Sequence, residues 1–547
     1  MPSQAPGVLG FYFAEAVLLT IVFSLILLLA YRLSVARCMR AASLARSTIE
    51  VDALPAPSSR VRRQENGLPA PAIRGPCARI VAVYGVAGAV AAAVLTALYL
   101  AQLDDEIYAL RTFVIWYAYG WPVPLTLGAL LAWPTRKVLL AAAGYLLAGA
   151  AVVLIWATVL RLLLGRVDVS PLAHAYNAGL FLLLRAQIPF LIIVVTGSRR
   201  LRSVSPLVLA GLLVFCFSNL LVSDLVRWIL DVPSLRWLVV HLARTELVFM
   251  LAAIPIGYVC WRLMRWLSEC YERKAFSDTQ LLVDTWWLIV AFYESVQLAV
   301  SFGWGGLLAL LAFVAYRLVV AVGLRLWPID PAPCGRGRLL LLRVFGFRRR
   351  SERLFDAVAQ RWRLHGSVRL IAATDLAMRT IDPGDMIRFL GGRLRRLFVR
   401  DPADLAERLA RVDETRDPDG RFRLAKFFCH DDTWRPTLQA LLDRSDAVLM
   451  DLRGFSAKNS GCVFELQQLA ATGLLPRTLF VVDPTTDLAL LERTLGRPSG
   501  AARGLNLEPL TSRSPSALDH VLERLMTLGQ GAAAADRVHG PGSALVP

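Results

Sequence analysis

The chain has 547 residues, 56% of them hydrophobic, and a formal net charge of +18. A mean hydropathy of +0.52 excludes an ordinary soluble protein of this size, because long apolar runs in such a chain read as membrane spans. Much of the positive charge is Arg placed beside those runs, which is the positive-inside pattern and calls for no nucleic-acid partner.

Apolar runs of roughly 20 residues, the length that crosses a bilayer, occur at 11–31, 80–102, 112–132, 138–160, 177–197, 204–223, 241–263, 284–302 and 306–326. They predict about nine spans. The first run is followed, not preceded, by basic residues (Arg32, Arg37, Arg40). It is therefore expected to be a retained anchor with its N-terminus outside. Segment 32–79 is Arg-rich, the next loop is acidic (Asp104, Asp105, Glu106), and 135–137, 198–203 and 262–274 are basic again. This alternation predicts a multi-pass protein of the inner (plasma) membrane with its C-terminal part in the cytosol. The loop 161–176, with Arg161 and Arg166, fits least well.

Segment 41–76 carries Pro55, Pro57, Pro69 and Pro71 without apolar periodicity and reads as a disordered cytosolic loop. Inside the spans lie Glu15, Arg185, Glu246, Glu294 and Arg317. Buried charge is costly in lipid, so each is expected to face a partner helix or water. Pairing between helices is favoured over a transport path, because no repeat and no pair of broken helices is visible. Lys274–Ser277, with Asp284, Trp286 and Trp287, reads as a juxtamembrane helix with an interfacial aromatic anchor.

After Trp327 and Pro328 the periodicity changes. Strands are predicted at Leu339–Phe345, Val368–Ala373, Ala447–Leu452 and Thr478–Val482, with a weak one at Leu505–Leu510 and an extra or edge strand at Arg423–Cys429. Helices are predicted at Ser351–Leu364, Asp385–Val399, Pro402–Val412, Thr433–Leu442, Val463–Leu469, Asp487–Leu495 and Pro515–Leu528. The alternation implies a doubly wound parallel sheet, flavodoxin-like in order, with helices on both faces. The expected organisation is a transmembrane helical domain over 1–328, a cytosolic α/β domain over 335–530 and a disordered tail over 531–547. The lipid bilayer is the first expected partner.

The cysteines Cys38, Cys77, Cys216, Cys260, Cys270, Cys334, Cys429 and Cys462 form no C-x-x-C and no zinc spacing, so no metal site is expected. P-loop, G-x-G-x-x-G, H-E-x-x-H and G-x-S-x-G motifs are absent from the sequence. No resident cofactor is expected.

The stretch Ser445–Gly473 stands out as strand, polar loop and helix, with Glu465 just past the strand's carboxyl end. Ligands of open α/β sheets bind at that edge. Ile381–Ile387 (IDPGDMI), Asp443–Val448 and the set Ser456, Cys462, Glu465 and Leu466 resemble segments of TIR domains. Gly461 and Glu465 are also similar to the helix start of nucleoside 2-deoxyribosyltransferases. The resemblance covers roughly 335–530. It departs from the TIR pattern in the long stretch Arg400–Arg444 and in a first strand that opens LLLLRVFG.

The resemblance implies signalling or defence, self-association into a homo-oligomer, and cleavage of an N-glycosidic bond, with NAD as substrate and Glu465 as the catalytic carboxylate. A carboxylate suits that chemistry because departure of the leaving group builds oxocarbenium character at the ribosyl carbon. Arg343 and Arg348 are candidate pyrophosphate ligands. Ser456 and Asn459 suit ribose hydroxyls, Ser460 marks a helix start that favours anions, and Asp382 belongs to the second TIR-like segment. The plainer reading of Glu465 is a solvated helix face, and Cys462 reads as a small core residue. Two other readings of the whole chain stay open: a non-enzymatic membrane-anchored assembly module, and a transporter with a regulatory domain.

Overall fold

A computed structural model describes residues 5–46, 74–102, 109–131, 135–163, 170–185, 227–233, 245–327, 337–343, 350–372, 383–412, 414–430, 432–498, 504–510 and 515–538, with a few isolated residues between them. The chain divides into two compact units. One comprises 1–31, 76–329 and 381–392, and the other 32–75, 330–380 and 393–547.

The first unit is helical. Among the described residues, its helices are α1 (Ala5–Arg46, through Tyr31), α2 (Arg74–Leu100), α3 (Ala109–Tyr119), α4 (Pro122–Leu130), α5 (Thr135–Leu163), α6 (Pro171–Arg185), α7 (Thr245–Glu272), α8 (Asp278–Phe302) and α9 (Leu310–Leu326). Among the described residues, six segments are long and apolar enough to cross a membrane: Leu18–Cys38, Ala78–Leu100, Ala109–Leu130, Arg136–Leu163, Asp278–Ala299 and Gly303–Leu326. They overlap six of the expected runs. The runs at 177–197 and 204–223 fall mostly outside the described residues, and the run at 241–263 is occupied by α7. The third crossing segment is not one rod, because α3 and α4 meet at a corner formed by Gly120 and Trp121.

The core of this unit is aromatic and closely packed. Trp287 on α8 stacks on Tyr316 of α9, with ring centroids 5.3 Å apart. Its Nε1 donates to Thr126 Oγ1 of α4 at 3.3 Å. Trp286 and Trp287 are 7% and 2% exposed, so they are core residues and not the expected interfacial anchor. The start of α8 is fixed locally instead, by a reciprocal capping box between Ser277 and Gln280. The turn after α8 depends on Gly306, where a Cβ would fall onto the backbone of Ala299 and Ser295.

The second unit is an α/β domain. Strands β1 (Leu339–Arg343), β2 (Val368–Ala372), β3 (Leu424–Phe428), β4 (Ala447–Asp451), β5 (Thr478–Val482) and β6 (Leu507–Pro509) form one parallel sheet in the order β3-β2-β1-β4-β5-β6. Continuous apolar runs such as Leu339–Leu342 and Ala447–Met450 form strands buried on both faces, which is what a sheet covered by helices requires. The five strands expected as principal are all present in this sheet. The Leu424–Phe428 segment, read as extra or edge, adds a sixth strand outside β2.

Helices α10 (Arg350–Trp362), α12 (Pro402–Ala410), α13 (Trp434–Leu442), α14 (Ser460–Ala471), α15 (Leu488–Thr494) and α16 (Pro515–Val538) accompany the sheet. One core joins Leu340, Leu342, Val448, Met450 and Phe480 of the strands to Leu438, Leu441, Cys462, Leu466 and Leu469 of α13 and α14. Three expectations need correcting. Helix α16 continues to Val538, through part of the expected disordered tail. Helix α1 runs to Arg46 and α2 starts at Arg74, so only 47–73 of the expected disordered loop lies outside the described residues.

The third correction concerns the expected helix 385–399. It is a short helix, α11 (Pro383–Leu390), followed by Gly392 at φ 72° and a separate turn over Leu394–Leu397. Moreover, α11 belongs to the helical unit, although 335–530 was expected to be one domain. It packs on α7, where a Cβ at Gly384 would meet the Tyr271 ring at 2.6 Å. Phe389 meets Tyr31 of α1 edge-on, with centroids 5.5 Å apart.

Candidate functional site

In this strand order the chain leaves β1 toward β2 on one side, while β4 lies on the other. The topological switch point is therefore between β1 and β4, where crevices form at the carboxyl ends of parallel strands. The register pairs Arg343 with Asp451, the last residues of the two strands. Both are buried, at 4% and 1% exposure.

Asp451 continues the apolar strand β4, and a carboxylate at the end of such a strand needs a partner. Arg453, two residues on, supplies it. Its Nε and Nη2 donate to the two Asp451 oxygens at 2.8 and 2.7 Å, a bidentate pair. The loop then continues to Ser456 and Asn459. The Asn459 side-chain oxygen accepts from Ser456 N at 3.0 Å and from Ser456 Oγ at 3.2 Å. These two candidate ribose ligands are thus brought together, and they bind each other.

A second loop fastens the first at the same edge. Gly454 N donates to Asp483 Oδ1 at 3.3 Å, Thr486 Oγ1 donates to Leu452 O at 3.0 Å, and Asp487 N donates to Phe455 O at 3.0 Å. Burial alone would push the Asp483 carboxyl up. The hydrogen bonds it accepts from Thr485, Gly454 and Thr486 outweigh that and hold it below the usual carboxylate range.

Glu465 lies on α14, in the second turn after Ser460. It is 3% exposed, so the solvated-face reading is corrected: the side chain is buried with the core residues Cys462, Leu466 and Leu469. Its Oε2 has no hydrogen-bond partner among the described residues. Burial pushes its carboxyl up to about 8, and the positive charge of Arg343 pulls the other way. Glu465 is therefore protonated at neutral pH in this state. Cys462 is fully buried, and its thiol is pushed far up by burial and by the nearby Glu465 and Asp451 carboxyls, which suits a core residue and not a nucleophile.

Of the expected site residues, the edge thus gathers Arg343, Glu465, Ser456 and Asn459. Ser460 opens α14 and is exposed. Arg348 and Asp382 lie outside the described residues, and the helix that follows Asp382 packs in the helical unit. Sequence reasoning missed Arg453 and Asp483. The legible signal for the first was an Arg two residues after a strand-terminal Asp.

The helical unit holds a second polar cluster. Arg185 Nη1 donates to Glu294 Oε1 and Oε2 at 2.8 and 2.9 Å, and Tyr119 Oη donates to Oε2 at 3.1 Å. The Arg185 guanidinium lies over the Tyr99, Tyr119 and Phe181 rings, 5.2 to 5.6 Å from their centroids. Arg317 pairs with Asp284 at 2.6 Å. The expectation that the charges within spans pair between helices holds for Arg185, Glu294 and Arg317, with Asp284, read at the start of its span, as the partner of the last. The side chains of Glu15 and Glu246 are outside the described set.

Compared with known proteins, the chain matches no family model, no curated protein and no solved structure.

Proposed function

We propose that this chain is a multi-pass membrane protein whose C-terminal α/β unit is a cytosolic TIR-like signalling or defence domain that cleaves the nicotinamide–ribose bond of NAD. One observation carries the reading: a buried carboxyl, Glu465, with an unpartnered oxygen on the helix that follows the switch-point strand β4. A buried polar group left without a partner costs stability, and such groups concentrate where chemistry needs them.

The chemistry follows from the charges. The bound nicotinamide ring is cationic, and the ribosyl carbon becomes more so as the bond breaks. A positive charge arriving beside Glu465 favours its ionised form, opposing the burial that keeps it protonated. The carboxylate then stabilises the oxocarbenium ion or adds to it, and water completes hydrolysis. Arg343 supplies positive charge for the pyrophosphate. Nicotinamide leaves as a neutral ring and needs no general acid.

The test uses the purified full chain in lipid, incubated with NAD, with released nicotinamide as the readout. Glu465→Gln should abolish release while leaving the fold intact. A concentrated full chain that releases no nicotinamide removes the hydrolase reading in favour of a non-enzymatic assembly module. Since free Glu465 is ionised only above about pH 8, kcat/KM should rise with pH and level off beyond that point. A profile flat from about pH 6 to about pH 9 would take Glu465 out of the mechanism.

A further inference from the structure

Trp121 forms the corner between α3 and α4 and is 4% exposed. Its indole Nε1–H has no hydrogen-bond partner among the described residues. Indole is a donor only, and a buried N–H that has lost water and gained no acceptor is rare in native proteins. Trp121 also lines a cavity of about 20 Å³. The lining joins apolar Ala118 and Val290 to Tyr119, Arg185 and Glu294. A cavity above about 10–15 Å³ by this measure admits one water, provided polar partners surround it.

The donors around this space are not used up. Arg185 gives only Nη1 to Glu294, so its Nε and Nη2 have no protein acceptor among the described residues. The missing complement is an acceptor of one-atom size. Its charge is also constrained. Arg185 opposes a cation and Glu294 opposes an anion, while the two charges cancel for a neutral group. A neutral oxygen satisfies Trp121 and Arg185, and if it carries hydrogen it also donates to Glu294.

We propose that this cavity is a binding site for one neutral oxygen, held by the Trp121 indole N–H and the Arg185 guanidinium. The oxygen belongs either to a water or to the carbonyl or hydroxyl of a small membrane-dissolved molecule. The site is independent of the proposed NAD chemistry. It gives the helical unit a ligand pocket on the same side chains that hold its ion pair.

Ultraviolet resonance Raman difference spectra of the full chain in lipid nanodiscs, unsubstituted minus Trp121→Phe, isolate this indole among the 14 Trp residues. The N–H-sensitive band should sit at the hydrogen-bonded position. A band at the free N–H position overturns the site. Ala118→Leu fills the cavity and keeps the indole, so it should shift the band to the free position. This second variant also carries the test if Trp121→Phe does not assemble, and an unchanged spectrum in Ala118→Leu overturns the proposal. Mass spectrometry of an organic extract separates the sources. A molecule recovered in equal amount with the unsubstituted chain and lost from Ala118→Leu identifies a membrane-dissolved ligand. A hydrogen-bonded band with no such molecule identifies water.

Discussion

Glu294 in the helical unit and Glu465 in the α/β unit are buried to nearly the same depth, at 4% and 3% exposure. Their surroundings differ. Glu294 accepts from Arg185 on both oxygens and from Tyr119 on one. Glu465 has one oxygen with no partner and an Arg343 charge that only partly offsets its burial. A charge fully enclosed by partners holds helices in register, and its replacement is a structural event. A carboxyl left short of partners destabilises its own fold, so its retention points to work on something that arrives later.

The sharpest way to break this contrast is Arg185→Ala. It leaves Glu294 buried and uncompensated, and such truncations cost about 3–5 kcal/mol. Thermal unfolding of the chain in lipid should show a large loss. Replacing both partners by similar-sized neutral residues, Arg185→Met with Glu294→Gln, should recover most of it. If Arg185→Ala alone unfolds like the unsubstituted chain, the pair does not hold the unit.

Glu465→Gln should act in the opposite direction. The folded carboxyl keeps its proton up to about pH 8, whereas the unfolded one releases it near the ordinary value of about 4.3. Folding therefore takes up a proton between those limits. Stability falls as pH rises through that window and is flat above it. Glu465→Gln lacks this fall and should gain stability above pH 8, at most about 5 kcal/mol. Denaturant midpoints at about pH 5 and pH 9 check the sign. A variant less stable than the parent at the higher pH would mean that Glu465 is satisfied after all.

The smallest effect is expected from Tyr119→Phe. It removes one of the bonds to Glu294 and leaves both from Arg185, so a loss of about 1–2 kcal/mol is expected in the same thermal assay. A loss as large as that of Arg185→Ala would show that the hydroxyl, and not the guanidinium, is the essential partner.

Much of the α/β unit was legible because period and punctuation agree there. Thr478–Val482 was read to the residue, and Val368, Ala447 and Pro402 were each read as element starts. The failures have physical causes. The helix expected over 385–399 ends before Gly392, whose φ of 72° is a conformation open to glycine that stops the turn. Nothing in local patterning shows that Pro383–Leu390 packs on Tyr271 and Tyr31, since tertiary contacts decide that. Trp286 and Trp287 were read from their position near a span end, yet both are buried, Trp287 against Tyr316 and Thr126. At the site, the position of Glu465 at the sheet's carboxyl edge was readable from strand–loop–helix order. Its burial was not, because α14 is flanked on more than one side and its sequence has no clean polar face. Likewise, Arg185 and Glu294 were each visible as costly intramembrane charges, while the corner at Trp121 that brings a third group to them was not.

The sheet order also sets a schedule for synthesis. Strand β1 needs β2 on one edge and β4 on the other, and β4 leaves the ribosome only after the whole stretch Arg369–Asp446 has been made. Through that interval a nascent chain carries an all-apolar Leu339–Leu342 with one row of backbone amides and carbonyls unfilled. Open edges of this kind pair with whatever strand is nearest. Chains that stall or are cut before Ala447 are thus the species most prone to aggregate, and they are where a holding chaperone has the most to bind.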